Sequence, residues 1–273
     1  MSESSESPNL NSVKPEWIKQ LLYDSECEES ETFGLKLLKQ GGRSVVWNMA
    51  ITLGYRKKGI PGQACRLLER YFYFLFRSYA ERPTGALRDA IVENMKSRIM
   101  LLIACCVQLA VKMSSAEARI SPRIIRVALL CKGITCTVKE IIQAEAEVFA
   151  VIGYRVPLRT SVDVAEQLAV EVGMSSGLVK AISIIMDLAE YQRNDIERKM
   201  RWAATGSTST PGCVRTLHLC AGAVAAAATF YPVAMATTDA ATCVVQLANI
   251  VNSPPAYISC IADVIISQIL SAA

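Results

Sequence analysis

The stretch LLIACCVQLAVKMSS, residues 101–115, decides how the chain is read. From Met100 to Val111 its only strongly polar side chain is Gln108, whereas an ordinary surface helix keeps an apolar stripe over only about a third of its circumference. Such a segment belongs inside protein on all sides. It is shorter than the roughly 20 apolar residues that cross a bilayer, so it reads as the central helix of a bundle. One cation, Lys112, closes the run. Its stem can cover apolar surface while the ammonium reaches water, and its charge complements a helix C-terminus; the other reading is that it faces a partner.

Working outward, the flanks carry helical period or helical punctuation, and no stretch alternates apolar and polar residues as a strand does. RSVVWNMAITLGY (43–55) is a helix, and Pro61 opens another, PGQACRLLERYFYFLFRSY (61–79), with Leu67, Leu68, Tyr71, Phe72 and Leu75 on one broad face. ERPTGA (81–86) breaks the pattern before the long helix that ends near Met113. Ser121 and Pro122 are an N-cap followed by proline at the first helical position, and Gly133 closes RIIRVALLCK. Thr137 and Glu140 form a capping box that starts VKEIIQAEAEVFAVI, which stops at Gly153.

After these five helices, YRVPLRTS (154–161) reads as an extended linker because Pro157 disfavours helix at Val156. Five more follow: SVDVAEQLAVEVG, the 28-residue-long run 176–203, GCVRTLHLCAGAVAAAATF, DAATCVVQLANIV and PPAYISCIADVIISQIL. In each set the third helix has the most continuous apolar or small-residue content. The expected fold is all-α, with two tandem five-helix domains over residues 34–157 and 158–273. Residues 1–33, rich in Ser and Glu, are expected to be a disordered tail apart from a short helix around PEWIKQLL (15–22). Ser7-Pro8 has the form of a proline-directed phosphorylation site, a dipeptide also common by chance.

Composition narrows the function classes. With 52% hydrophobic residues the chain of 273 can bury substantial cores. A formal charge of +4 without a long basic block does not imply dedicated nucleic-acid binding. The ten cysteines lie mostly within apolar helical patterns, none in Cys-x-x-Cys spacing, and His218 is the single histidine. They read as small buried hydrophobes in a reducing compartment, with neither a metal site nor another cofactor expected. MSESSESPNLNS lacks the apolar core of a secretory signal. Leu217–Thr238 is uncharged but mostly alanine and interrupted by Pro232, so it reads as a buried helix and a turn, and no membrane association is expected. No phosphate-cradling glycine loop and no nucleophile beside a histidine points to enzyme chemistry.

Residues 42–157 resemble a cyclin box. RSVVWNMAITLGYRKKGIPGQACRLLERYFYFL is similar to its first two helices, ACCVQLAVKMSS to its third and TVKEIIQAEAEVFAVIGYRV to its fifth. Cyclins end the third helix with a lysine and carry a glutamate on the fifth, and that pair engages a kinase; Lys112 and Glu145 stand at those positions. By the same resemblance Leu109, Met113, Phe149 and Tyr154 are the apolar flank of the kinase interface. Arg43, Val46 and Met49 fall on the substrate-docking patch of the first helix, which is eroded here because Gly42, Met49 and Thr52 replace its methionine, tryptophan and acidic residue.

Within cyclins the closer likeness is to the divergent meiotic, crossover-site-associated members, carried by CVQLAVKMSSAEARISPRIIRVALL, EAEVFAVIGYRVPLRTSVDVAEQLAVEVG and the extra RPTGALRDAIVENMKS. It implies a non-enzymatic nuclear protein of meiotic chromosomes that marks crossover sites and promotes their maturation. The implied partners are a cyclin-dependent kinase of the kinase-2-like kind and MutS-type and MutL-type recombination factors. Two other functions stay open: a kinase-independent adaptor bridging those factors, and a nucleic-acid-binding module using Arg119, Arg123, Arg126 and Lys132.

Overall fold

A computed structural model describes residues 15–32, 38–56, 58–80, 85–114, 120–157, 159–204, 214–231 and 239–272. The described residues form twelve helices and no strand. In chain order these are α1 (Glu16–Thr32), α2 (Gln40–Thr52), α3 (Ile60–Ala80), α4 (Gly85–Ser114), α5 (Pro122–Leu130) and α6 (Val138–Val151), then α7 (Ser161–Glu171), α8 (Ser176–Tyr191), α9 (Arg193–Ala204), α10 (Thr216–Phe230), α11 (Ala240–Ile250) and α12 (Pro255–Ala272). The chain is all-α.

Local chemistry fixes several starts. Ser121 accepts from the Arg123 N–H ahead of Pro122, and Thr137 and Glu140 cap each other's backbone at the head of α6. A second capping box, Thr160 with Asp163, starts α7 and ends the extended segment after α6.

Two hydrophobic cores form, each around one apolar helix. In the first, α2, α3, α5 and α6 pack on α4. Every residue from Leu101 to Val111 is buried, and the polar exception is half satisfied: Gln108 Nε2 donates to the Ile120 carbonyl at 3.1 Å, while its Oε1 is buried without a hydrogen-bond partner. Val92–Ser114 is long and apolar enough to cross a membrane by length and composition alone, and 61% of its most apolar 18-residue window is buried inside the fold. In the second core, α7, α8, α11 and α12 pack on α10, whose residues Thr216 through Ala228 are all buried. Small side chains allow this approach. A Cβ placed on Gly222 would lie 2.2 Å from Ile261 Cγ2 of α12, so only glycine fits there.

Three expectations are corrected. The run 176–203 is two helices, α8 and α9, because the chain turns at Gln192 and directs Arg193 into the interior; the second half therefore has six helices rather than five. The helix expected around residues 15–22 extends to Thr32, so much of the supposed disordered tail is ordered. Its face of Trp17, Ile18, Leu21 and Leu22 explains this, since Ile18 is buried and the other three pack against the second core. The docking-patch residues Arg43, Val46 and Met49 are interior, for reasons given below. Residues 1–14, with Ser7, lie outside the described residues, as does Arg119.

Candidate functional site

Lys112 occupies the last turn of α4, where the helix C-terminus favours a cation. Helix α6 lies against α4 with Ile141, Ala144 and Val148 buried, and Cys105 Sγ reaches the Ile141 carbonyl at 3.7 Å. That register brings Glu145 to the end of α4, and Lys112 Nζ donates to Glu145 Oε1. The lysine side chain keeps 38% of its surface exposed and the glutamate 13%. An ammonium has three donors and a carboxylate about four acceptor positions, so the pair has hydrogen-bonding capacity beyond its mutual contact.

Glu147 is anchored as well. It accepts from Tyr71 Oη at 2.7 Å and from Arg98 at 2.8 Å, and burial together with this carboxylate pushes the Tyr71 phenol up. The segment Glu145-Ala146-Glu147 is thus not a plain solvated face. Two acids are tied to α3 and α4 while Ala146 between them is exposed.

The apolar candidates divide by depth. Leu109 is buried beneath Lys112, and Met113 and Phe149 are half-buried. Leu109 and Met113 share one face of α4, and Glu145 and Phe149 one face of α6. Tyr154, just beyond α6, is 67% exposed, and its ring meets Phe149 edge-to-face at 5.0 Å between centroids. Its backbone has φ 59°, directly after Gly153 at φ 66°. A non-glycine residue in this left-handed region costs on the order of 1–3 kcal/mol and persists only where the surroundings impose it. The Tyr154 N–H donates to the Phe149 carbonyl at 2.9 Å, which helps hold this conformation. Sequence reasoning singled out Tyr154 as apolar and had no sign of its backbone.

Of the supposed docking patch, Val46 and Met49 lie in the first hydrophobic core, and Arg43 belongs to a buried ionic junction between the cores that sequence reasoning missed. Arg43, 2% exposed, donates to Glu69 at 3.0 Å and to the Glu190 carbonyl at 3.3 Å. Glu190 on α8 is fully buried between Arg66 at 3.7 Å and Arg193 at 3.5 Å. Burial pushes this carboxyl up, but Arg193, Arg66 and Arg43 together hold it below the usual range. Arg193 also donates to Thr216 Oγ1 at 3.0 Å and to the Val214 carbonyl at 2.6 Å, and pairs with Glu197 at 3.4 Å and Glu28 of α1 at 3.7 Å. Ser44 and Tyr191 share a 2.9 Å hydrogen bond beside it, with Trp47 edge-on to the Tyr191 ring. The only sequence signal is the polar run EYQRNDIER, which interrupts an apolar helix pattern.

Among the described residues no group of three or more His, Cys, Asp or Glu side chains is placed to hold a metal ion. The nine described cysteines are free thiols. Burial pushes Cys105 up to about 12 and Cys243 up to about 11, which suits packing and not nucleophilic attack. No protein-family model and no curated protein matches this chain.

Proposed function

We propose that this chain is a cyclin-like regulatory subunit, built as two tandem cyclin-box-like domains, that binds a cyclin-dependent kinase through the first. The observation that carries the reading is the Lys112–Glu145 pair at the end of a buried helix. Its spare donors and acceptors suit a partner's backbone, and charge assistance strengthens such bonds. The Phe149–Tyr154 ring pair beside it offers the apolar contact from which binding energy comes. The chain performs no chemistry of its own in this reading. Its place in the nucleus, on meiotic chromosomes at crossover sites with MutS-type and MutL-type factors, is supported by the sequence resemblance alone.

The test is co-purification with a panel of cyclin-dependent kinases, of kinase-2-like members first, followed by a histone kinase assay. Lys112→Glu/Glu145→Lys keeps an internal ion pair but reverses the charges offered outward. We expect wild type to bind and activate and the swapped pair to do neither, with helix content unchanged. Normal activation by the swapped protein would sink the proposal. One observation favours a second reading, a kinase-independent adaptor: with Arg43, Val46 and Met49 interior, α2 offers no substrate-docking surface built on them. A wild type that binds no kinase but retains MutS-type or MutL-type factors would support the adaptor.

A further inference from the structure

Helix α5 is apolar on both sides. Ile125, Ala128 and Leu129 face the first core, while Ile124, Val127 and Leu130 on the outer side are 52%, 56% and 59% exposed. These three follow one another at a spacing of three residues and so form a slanting stripe. A helix covered on one side only ordinarily shows a polar outer face, and contiguous exposed apolar patches mark contact sites. The charges on the helix and just after it have one sign. Arg123 and Arg126 are exposed on α5, Lys132 follows it, and no carboxylate occurs from Pro122 to Lys132. Glu140, at the start of α6, is engaged by the backbone N–H and the hydroxyl of Thr137.

We propose that this face docks an acidic amphipathic helix of a partner protein. Its apolar side would cover Ile124, Val127 and Leu130, and flanking Asp or Glu side chains would meet Arg123 and Arg126. Charge complementarity selects this occupant over two others. A nucleic acid would neutralise the arginines but leave three large aliphatic side chains uncovered. A second copy of this chain, paired through the same patch about a two-fold axis, would set the cations against each other.

The test uses the full chain and fluorescence anisotropy with three labelled probes. One is a synthetic helical peptide with Leu at i, i+3, i+4 and i+7 and Glu between; the second has the same composition scrambled; the third is a DNA duplex. The helical peptide is expected to bind and the scrambled one not. Val127→Asp should weaken binding at least about tenfold, roughly 1.4 kcal/mol. Arg126→Glu should also weaken it, and a peptide with Lys in place of Glu should recover the loss, a rescue that damage to the fold could not produce. Lys112→Glu should bind as wild type does, which separates this face from the kinase reading. No binding of the helical peptide, or equal binding of the scrambled one, overturns the proposal. So does duplex binding that depends on Arg126 and falls steeply with salt while the peptide stays free, or a wild-type dimer on gel filtration that Val127→Asp dissolves.

Discussion

Asp187 and His218 pull the pH dependence of stability in opposite directions. Burial, set against a hydrogen bond from the Gly59 N–H, raises Asp187 from 3.8 to about 7, with Glu190 adding to the rise. Between about pH 4 and 7 the folded chain therefore holds a proton that the unfolded chain has lost, and stability falls as pH rises. His218, edge-to-face with Tyr257, is lowered from 6.5 to about 4 by burial and then by Arg215. Here the unfolded chain holds the extra proton, so stability falls as pH drops from 6.5 toward 4. Over the shared window the two nearly cancel. Relative to wild type, Asp187→Asn should gain stability with rising pH by about 1.4 kcal/mol per unit, and His218→Gln should gain it with falling pH at a similar slope. Urea unfolding across pH 4 to 8 checks both; curves parallel to wild type would refute the assignment. Tyr154 gives a third expectation: Tyr154→Gly removes backbone strain of about 1–3 kcal/mol and ring contact of about 0.5–1.5 kcal/mol. Its stability should therefore lie between about 0.5 kcal/mol below and about 2.5 kcal/mol above wild type, read by urea unfolding, while the kinase capture of the proposed function is lost. Lys112 and Glu145 are paired in the sequence by the resemblance to the cyclin box, and the structure brings the two side chains into contact. Arg43 was misplaced because its partners, Glu69 and Glu190, are 26 and 147 residues away.

At the scale of elements, punctuation did most of the work. Helices α5 and α6 begin at Ser121-Pro122 and Thr137-Glu140 as spelled out locally, because capping is a contact within one turn. The division of α8 from α9 was invisible because no proline or glycine marks Gln192; the break follows from Arg193 turning toward Glu190, Thr216 and Val214. Burial of α10 was legible in its lack of charge, but its closeness to α12 was not. Gly222→Ala should cost about 1–3 kcal/mol through overpacking. Part of that should return in Gly222→Ala/Ile261→Ala, relative to Ile261→Ala alone, because the contact with Cγ2 at 2.2 Å goes while that with Cβ at 2.8 Å stays; a double-mutant cycle read by thermal unfolding measures it. Additive effects would mean that the two helices do not press on each other there.

At the scale of the whole molecule, the junction is the part least accessible to sequence reasoning, since it joins α1, α2, α3, α8 and α9 through side chains far apart in the chain. Removing one member strands a buried charge. Glu190→Gln is expected to cost about 3–5 kcal/mol, and the loss should appear as a shift of one cooperative transition when calorimetry and fluorescence are compared. Two transitions, with only the second core weakened, would show that the cores fold apart. Helix α1 adds a constraint of time. Glu28 meets Thr216 across 188 residues, so during synthesis, at about 5–20 residues per second, α1 waits roughly 10–40 seconds for its contact with α10. Its face of Trp17, Leu21 and Leu22, which packs against the second core, lacks that part of its native cover until α10 is made, so α1 is an apolar surface for a chaperone to shield in the nascent chain.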